Sequence, residues 1–208
     1  PETAIFQGLS PLSVDAFLPK PFTLENFRGV FENRIFTLAL ANTLFVATIS
    51  IIFGVAINAM SGFAFATIRF RGRRIFFSLV LSTFLIHADL LAIPTYNLID
   101  SIGLVDTKIA LILPILGNGM VIFMFVQFFR QIPKALREAA IIDGATSLQV
   151  LVRIYLPLTL PTVIGASLIL FIGQWEAFLW PLVVARSPEN GMIQIALSTF
   201  TQQYGTLW

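Results

Sequence analysis

Residues 138–157 read EAAIIDGATSLQVLVRIYLP, a short polar stretch set between long apolar runs. Residues 134–143 hold no helix breaker, and Pro133 before them suits a first helical turn, where its missing N–H costs nothing. The helix is predicted to end at Gly144, because glycine just past a C-terminus takes the left-handed conformation that turns the chain. Thr146, with Gln149 three residues on, makes a capping-box pattern that opens a second helix. The product is a helix, a sharp turn and another helix, a knob suited to a partner's groove. Ala139 and Ala140 let such a partner approach closely, and Glu138 offers an acceptor for its donors. A plain amphipathic hairpin capping two membrane helices has the same local pattern.

Outward from this stretch the chain is apolar. Of 208 residues, 57% are hydrophobic and 12% charged, with mean hydropathy +0.87, which reads as a polytopic membrane protein rather than a soluble domain. A net charge of +2 gives no nucleic-acid footprint. Without cysteine there are no disulfides or thiolate sites, and with one histidine, His87, there is no multi-histidine metal site. No GxxxxGK[ST] sequence occurs, so ATP is not bound by that route.

Four spans are expected, at about 36–66, 75–96, 109–129 and 157–184, within one membrane domain covering 1–208, with the hairpin occupying about 130–156. The first lacks any charge and exceeds the ~20 residues that cross a bilayer. Ser50, Gly54, Asn58, Gly62 and Ala66 recur along it every fourth residue, a stripe that permits close helix packing. Before it, Thr23 is a plausible cap for an amphipathic surface helix with Leu24, Phe27, Val30 and Phe31 on one face. After it, residues 69–74, RFRGRR, form a basic turn. Eight of thirteen Lys and Arg lie in this turn and in 130–153, which alternation assigns to one side, the cytoplasmic one by the charge rule. In the second span, His87 and Asp89 either line a pathway or sit at the outer rim; two apart, they do not share a helix face. Pro114, Gly117 and Gly119 interrupt the third span, where Asn118 either faces a cavity or bonds a neighbouring helix. Pro157 and Pro161 fit the inner end of the fourth, and Trp175 and Trp180 an aromatic belt at its outer end. Trp175 and Glu176 are read either as sugar contacts, by stacking and hydrogen bonding, or as interfacial anchors. Residues 193–200 are ambiguous between helix and extended chain.

Glu138, Ala139, Ala140, Gly144, Ile154, Leu156 and Pro157 together match EAA-x3-G-x9-I-x-LP at every position, and so resemble the signature of membrane subunits of binding-protein-dependent ABC importers. Asn26-Phe27, the RFRGR turn, IPTY at 93–96 and IIDGA at 141–145, which includes Asp143, are similar to the carbohydrate-uptake branch, of the maltose-permease type. Two departures stand out: His87 lies where relatives usually have a proline nearby, and Glu176 follows Trp175 where Trp-Asn is general.

The resemblance implies an all-α polytopic bundle of the type I ABC importer permease fold with a cytoplasmic coupling helix. It implies six spans, hence one before Pro1 and one after Trp208. It also implies residence in a bacterial or archaeal inner membrane and a non-enzymatic transport role by alternating access. The implied partners are a second permease subunit in a heterodimer, two ATP-binding subunits carrying ATP and Mg, an extracytoplasmic solute-binding protein and membrane lipid; this chain itself would hold no cofactor. A proton-coupled transporter or channel using His87, Asp89 and Glu176 is the alternative, but it leaves the EAA spacing unexplained.

Overall fold

The structure, a computed structural model, describes residues 25–83, 86 and 88–204. The described residues form helices and connecting turns with no strand. The expected cap Thr23, Leu24 and His87 lie outside the described residues. Helix α1 (Glu25–Glu32) is followed at once by α2 (Arg34–Thr67), whose N-cap Asn33 accepts from the N–H groups of Ile35 and Phe36 at 2.9 and 3.4 Å.

At 34 residues, α2 is the one continuous described helix long and apolar enough to cross a membrane. The molecule is assembled on its small-residue stripe, with α6 (Gly119–Phe129) and α10 (Leu160–Trp175) packed along it. A Cβ at Gly62 would stand 2.5 Å from Cβ of Phe125, so the backbones of α2 and α6 meet at a distance only glycine permits. One turn away, the Asn58 carboxamide is 0% exposed and fully bonded. It donates to the carbonyls of Gly54 (2.6 Å) and Leu116 (2.8 Å) and accepts from the Asn118 N–H (2.9 Å). Farther along, Gln174 of α10, 3% exposed, donates to Ser50 Oγ (2.8 Å) and to the Leu111 carbonyl (3.2 Å).

These polar residues support the broken third span. It consists of α5 (Lys108–Ile112), a 3-10 turn at Leu113–Ile115, and α6 after a 45° bend. Pro114 has no N–H for the Ala110 carbonyl, and the Trp180 indole takes that place at 3.0 Å. Asn58 serves the freed groups at Leu116 and Asn118, so side chains from neighbouring helices satisfy the break internally, as an apolar surrounding demands.

The second and fourth spans are less regular than the spacing predicts. Helix α3 (Arg73–Ser82) ends where Ser82 and Thr83 turn their hydroxyls back onto the carbonyls of Leu79 and Val80. A 3-10 turn (Ala88–Leu91) and α4 (Ala92–Ser101) follow, with Pro94 confined to the first turn of α4 because it cannot donate backwards. The described residues of 75–96 therefore fall in α3, a 3-10 turn and α4, and Ile86 between them is not helical. The fourth span starts at α10, after a 90° bend that follows Leu158, with Pro161 in its first turn. It breaks after Trp175 and resumes as α11 (Leu179–Val184), Pro181 lacking the N–H that would bond Ala177. Residues 193–200 belong to α12 (Ile193–Tyr204), which also packs on α2.

Replacing Gly62 by alanine is expected to destabilise the folded protein by about 1–3 kcal/mol through overpacking. Gly165→Ala, whose nearest atom would be 3.9 Å away, is expected to be near neutral. Unfolding midpoints in detergent check the pair.

Candidate coupling site and the opposite loop

The hairpin is built as its sequence dictates. Helix α7 (Lys134–Ile142) begins after Pro133, which holds the N-cap position with extended ψ rather than the first helical turn. It ends in a Schellman arrangement: Gly144 N–H donates to Ile141 O at 3.0 Å and Ala145 N–H to Ala140 O at 2.9 Å, with Gly144 at φ +82°. Thr146 and Gln149 then close the capping box of α8 (Ser147–Val150), bonding reciprocally at 2.8 and 3.3 Å. One π turn (Leu151–Tyr155) and the short α9 (Leu156–Leu158) lead into α10.

The signature divides into two halves. Ala140, Ile154 and Leu156, joined by Ala145, face inward onto a core made by Phe63 of α2, Phe125 and Phe129 of α6, and Val150, Leu151 and Tyr155 of the hairpin. The Tyr155 ring, in a residue 2% exposed, meets Phe63 and Phe129 edge-on at centroid distances of 5.0 and 5.4 Å. Burial pushes its phenol above the ordinary value, against a weaker opposing pull from Arg137. Glu138, Ala139, Asp143, Gly144 and Pro157 are exposed instead. Around them Leu136, Ile141, Leu148 and Ile142, the last 85% exposed, leave an apolar surface uncovered on a helix with no buried residue. Ala140 alone packs this short helix against the core, while its outward side leaves apolar surface exposed, the kind of patch that marks interaction sites.

Glu138 also borders a cavity of about 720 Å³ whose wall carries Arg69, Arg73, Arg130, Lys134 and Arg137, so the RFRGRR turn and the hairpin meet at one end of α2. The two cationic segments that the sequence assigned to one side are thus neighbours in space.

The other expected site residues do not converge. Asp89 is exposed on the 3-10 turn, and Asn118 caps α6 by accepting from the Val121 N–H at 3.1 Å. It is the Asn118 backbone, not its side chain, that bonds the neighbouring helix. Trp175, half-buried, stacks on Phe171 at 5.6 Å, and its carbonyl accepts from Gln194 at 3.0 Å; Glu176 beside it is exposed. None of these four lines the cavity that Glu138 borders.

A feature not singled out in the sequence organises the opposite end. Asp106, at φ +61°, accepts at 3.0 Å on one carboxylate oxygen from the N–H groups of Arg186 and Ser187 and from the Ser187 hydroxyl. Asn190 donates to the Asp106 carbonyl at 2.7 Å. The same loop is tied to α2, because Asn42 donates to the Glu189 carbonyl (2.6 Å) and Thr43 accepts from the Ile193 N–H (2.9 Å). Only the residue type and a nearby Gly103 hinted at this in the sequence; partners eighty positions away carry no local signal.

Residues 35–207 match the family described as binding-protein-dependent transport system inner membrane component. The chain belongs to this family. The permease is 34% identical over 190 residues to the arabinooligosaccharides transport system permease protein AraQ of Halalkalibacterium halodurans, covering 91% of this chain and 68% of that protein. It is 31% identical to the trehalose transport system permease protein SugB of Mycobacterium tuberculosis, over 88% of this chain and 68% of that one. Its similarity to the sn-glycerol-3-phosphate transport system permease protein UgpE of Brucella abortus is 34%, covering 88% and 67%. In structure it resembles a bacterial ABC transporter involved in the import of the acidic polysaccharide alginate, with TM-score 0.80 and 26% identity. That match covers 88% of this chain and 64% of the other, so the permease chain spans just under two thirds of the solved one. The expected helical ABC-importer permease fold stands, and the family is one of transport components rather than enzymes.

The Ser187 backbone N–H foremost, then the Asn190 and Ser187 side chains and the Arg186 N–H, hold the Asp106 carboxyl below the ordinary carboxylate range against the opposing effect of desolvation. A depressed pKa stabilises above the unfolded value and is lost as pH falls through the folded one. Protection of the Arg186 and Ser187 amides, followed by hydrogen exchange corrected for intrinsic rates, is therefore expected to hold near neutrality and to drop below about pH 4. Asp106→Asn, which tolerates the left-handed backbone, is expected to lose that pH dependence.

Proposed function

We propose that this permease is one membrane-spanning subunit of an ATP-driven ABC importer that moves a sugar or sugar-like solute across the inner membrane by alternating access. The observation that carries the reading is the hairpin: the full signature folds into a knob whose inner half is locked to the bundle and whose outer half is exposed and apolar. Glu138, Ala139, Asp143 and Gly144 form the docking face for a separate ATPase subunit; Ala140, Ile154 and Leu156 hold that face to the bundle, with Pro157 in the short α9 that leads to the bend before α10. ATP and Mg belong to that partner. Two such ATPase subunits, a second homologous permease subunit and an extracytoplasmic solute-binding protein complete the assembly, with the hairpin and the RFRGRR turn on the cytoplasmic side. Clustering of both cationic segments at one end of α2 supports that orientation.

Approach of the two ATPase subunits displaces α7. Close-packed side chains transmit displacement rather than absorb it, so the load passes through Ala140, Ile154 and Leu156 to Phe63, Phe129 and Tyr155, and from there to α2 and α6. The inward-open and outward-open states must differ in these contacts, because a ligand indifferent to both shifts nothing. Names of relatives that carry arabinooligosaccharides, trehalose and glycerol 3-phosphate support a polyhydroxylated solute. His87, Asp89, Asn118, Trp175 and Glu176 are this chain's candidates along the solute path, Trp175 by stacking on a sugar face. Family membership favours the importer over a proton-coupled relay through His87, Asp89 and Glu176.

Substrate-stimulated ATPase activity of the assembled transporter in lipid, with solutes presented by the cognate binding protein, tests the reading. Glu138→Ala is expected to reduce the stimulation. Gly144→Asp, which strains a left-handed position by about 1–2 kcal/mol, is expected with it to abolish stimulation or ATPase docking. Unchanged docking and stimulation in the double variant would show that the hairpin is not the coupling element.

A further inference from the structure

At the end of α2 where the arginine turn lies, Arg69, Arg73, Arg74 and Arg130 line a cavity of about 680 Å³ with no carboxylate in its wall. Among the described residues no Asp or Glu pairs with any of the four. Their anchors are of another kind: the Arg73 guanidinium reaches only the Ile68 and Ala66 carbonyls, at 3.4 and 3.5 Å, and the Arg130 guanidinium lies 5.5 Å over the Phe77 ring. Desolvation first, and then repulsion from Arg130 and Arg69, lower the pKa of Arg73.

Beside this cavity, and sharing Phe70 with it, an apolar groove of about 530 Å³ runs along α3 between Phe70, Phe76 and Leu79. Helix α3 has no buried residue, and Phe76 and Leu79 are more than half exposed. A cationic cup continuous with an apolar groove at the end of a membrane-crossing helix complements a molecule with an anionic head and a hydrocarbon tail. A soluble anion would leave the groove unfilled, and an acidic protein surface would leave it equally exposed.

We infer that this cup and groove bind one anionic glycerophospholipid, its phosphate held among Arg69, Arg73 and Arg130 and one acyl chain lying along α3. The bound lipid supplies the negative charge that the protein lacks there and fastens the RFRGRR turn to α6 through Arg130. The site adjoins the docking face assigned to the hairpin, since Arg69, Arg73 and Arg130 also line the cavity that Glu138 borders; it depends on the membrane location and not on the solute.

The assembled transporter is purified from nanodiscs containing equal phosphatidylglycerol and phosphatidylcholine, and retained lipid is counted by native mass spectrometry. Phosphatidylglycerol is expected to be retained selectively and to raise the melting temperature of the unaltered protein above that in phosphatidylcholine alone. Replacing Arg69, Arg73 and Arg130 together by glutamine is expected to weaken retention about tenfold or more, while lysine at all three positions keeps most of it. Equal retention of the two lipids, or retention unchanged by the glutamine variant, overturns the inference. So does loss of the lipid when the ATPase subunits bind, which would make the cup a protein interface. Full displacement by millimolar inorganic phosphate, together with indifference to Phe76→Ala and Leu79→Ala, would overturn it in favour of a free-phosphate site.

Discussion

The close approach of α2 to α6 and α10 is the constraint on which the rest of the structure depends. Gly62 brings the α2 backbone against Phe125, and Asn58 and Ser50 on the same stripe reach the polar groups of their neighbours. In an apolar surrounding the hydrophobic effect does not drive helices together, so packing and satisfied polar groups must. The third span is broken at Pro114 and Gly117, and its freed carbonyls at Ala110, Leu111 and Leu116 are met by Trp180, Gln174 and Asn58 from three other helices. A break that isolated would be costly becomes the point at which four helices are held together.

From this axis the two ends of the molecule differ in chemistry. At one end the aromatic cluster of Phe63, Phe129 and Tyr155 joins α2 and α6 to the hairpin, and the arginine turn lies alongside. At the other, hydrogen bonds dominate, with Asp106 gathering the 186–190 loop and Asn42 and Thr43 fastening it to α2. An apolar joint on one side and a polar clasp on the other would suit the role proposed above, in which the subunit receives force at one end and meets a soluble partner at the other.

The hairpin was legible in the sequence because its devices are local: Gly144 at the helix end and the Thr146–Gln149 box act over a few residues and appear as read. The stripe from Ser50 to Ala66 was legible for the same reason, since a period of four survives in any straight helix. Span lengths were less so, because hydropathy reports depth in a membrane and not continuity of a helix. Within 75–96, α3 ends at Ser82, where Ser82 and Thr83 bond back to its carbonyls, and the chain is helical again from the 3-10 turn at Ala88; Pro181 accompanies the break in 157–184. The part of the site that escaped was non-local. Gln174 and Asp106 look ordinary in sequence and acquire roles only from partners 63 to 124 and 80 to 84 positions away.

The central claim is that force received by the outward half of the hairpin enters the bundle through Tyr155 and its two aromatic neighbours. Solute transported per ATP hydrolysed, measured in proteoliposomes for Tyr155→Ala beside the unaltered permease, tests it most directly. The account predicts that ATPase subunits still assemble, since the docking face is intact, while transport per ATP falls severalfold. An unchanged ratio with unchanged assembly would contradict it, and would mean that the hairpin drives the bundle by another route.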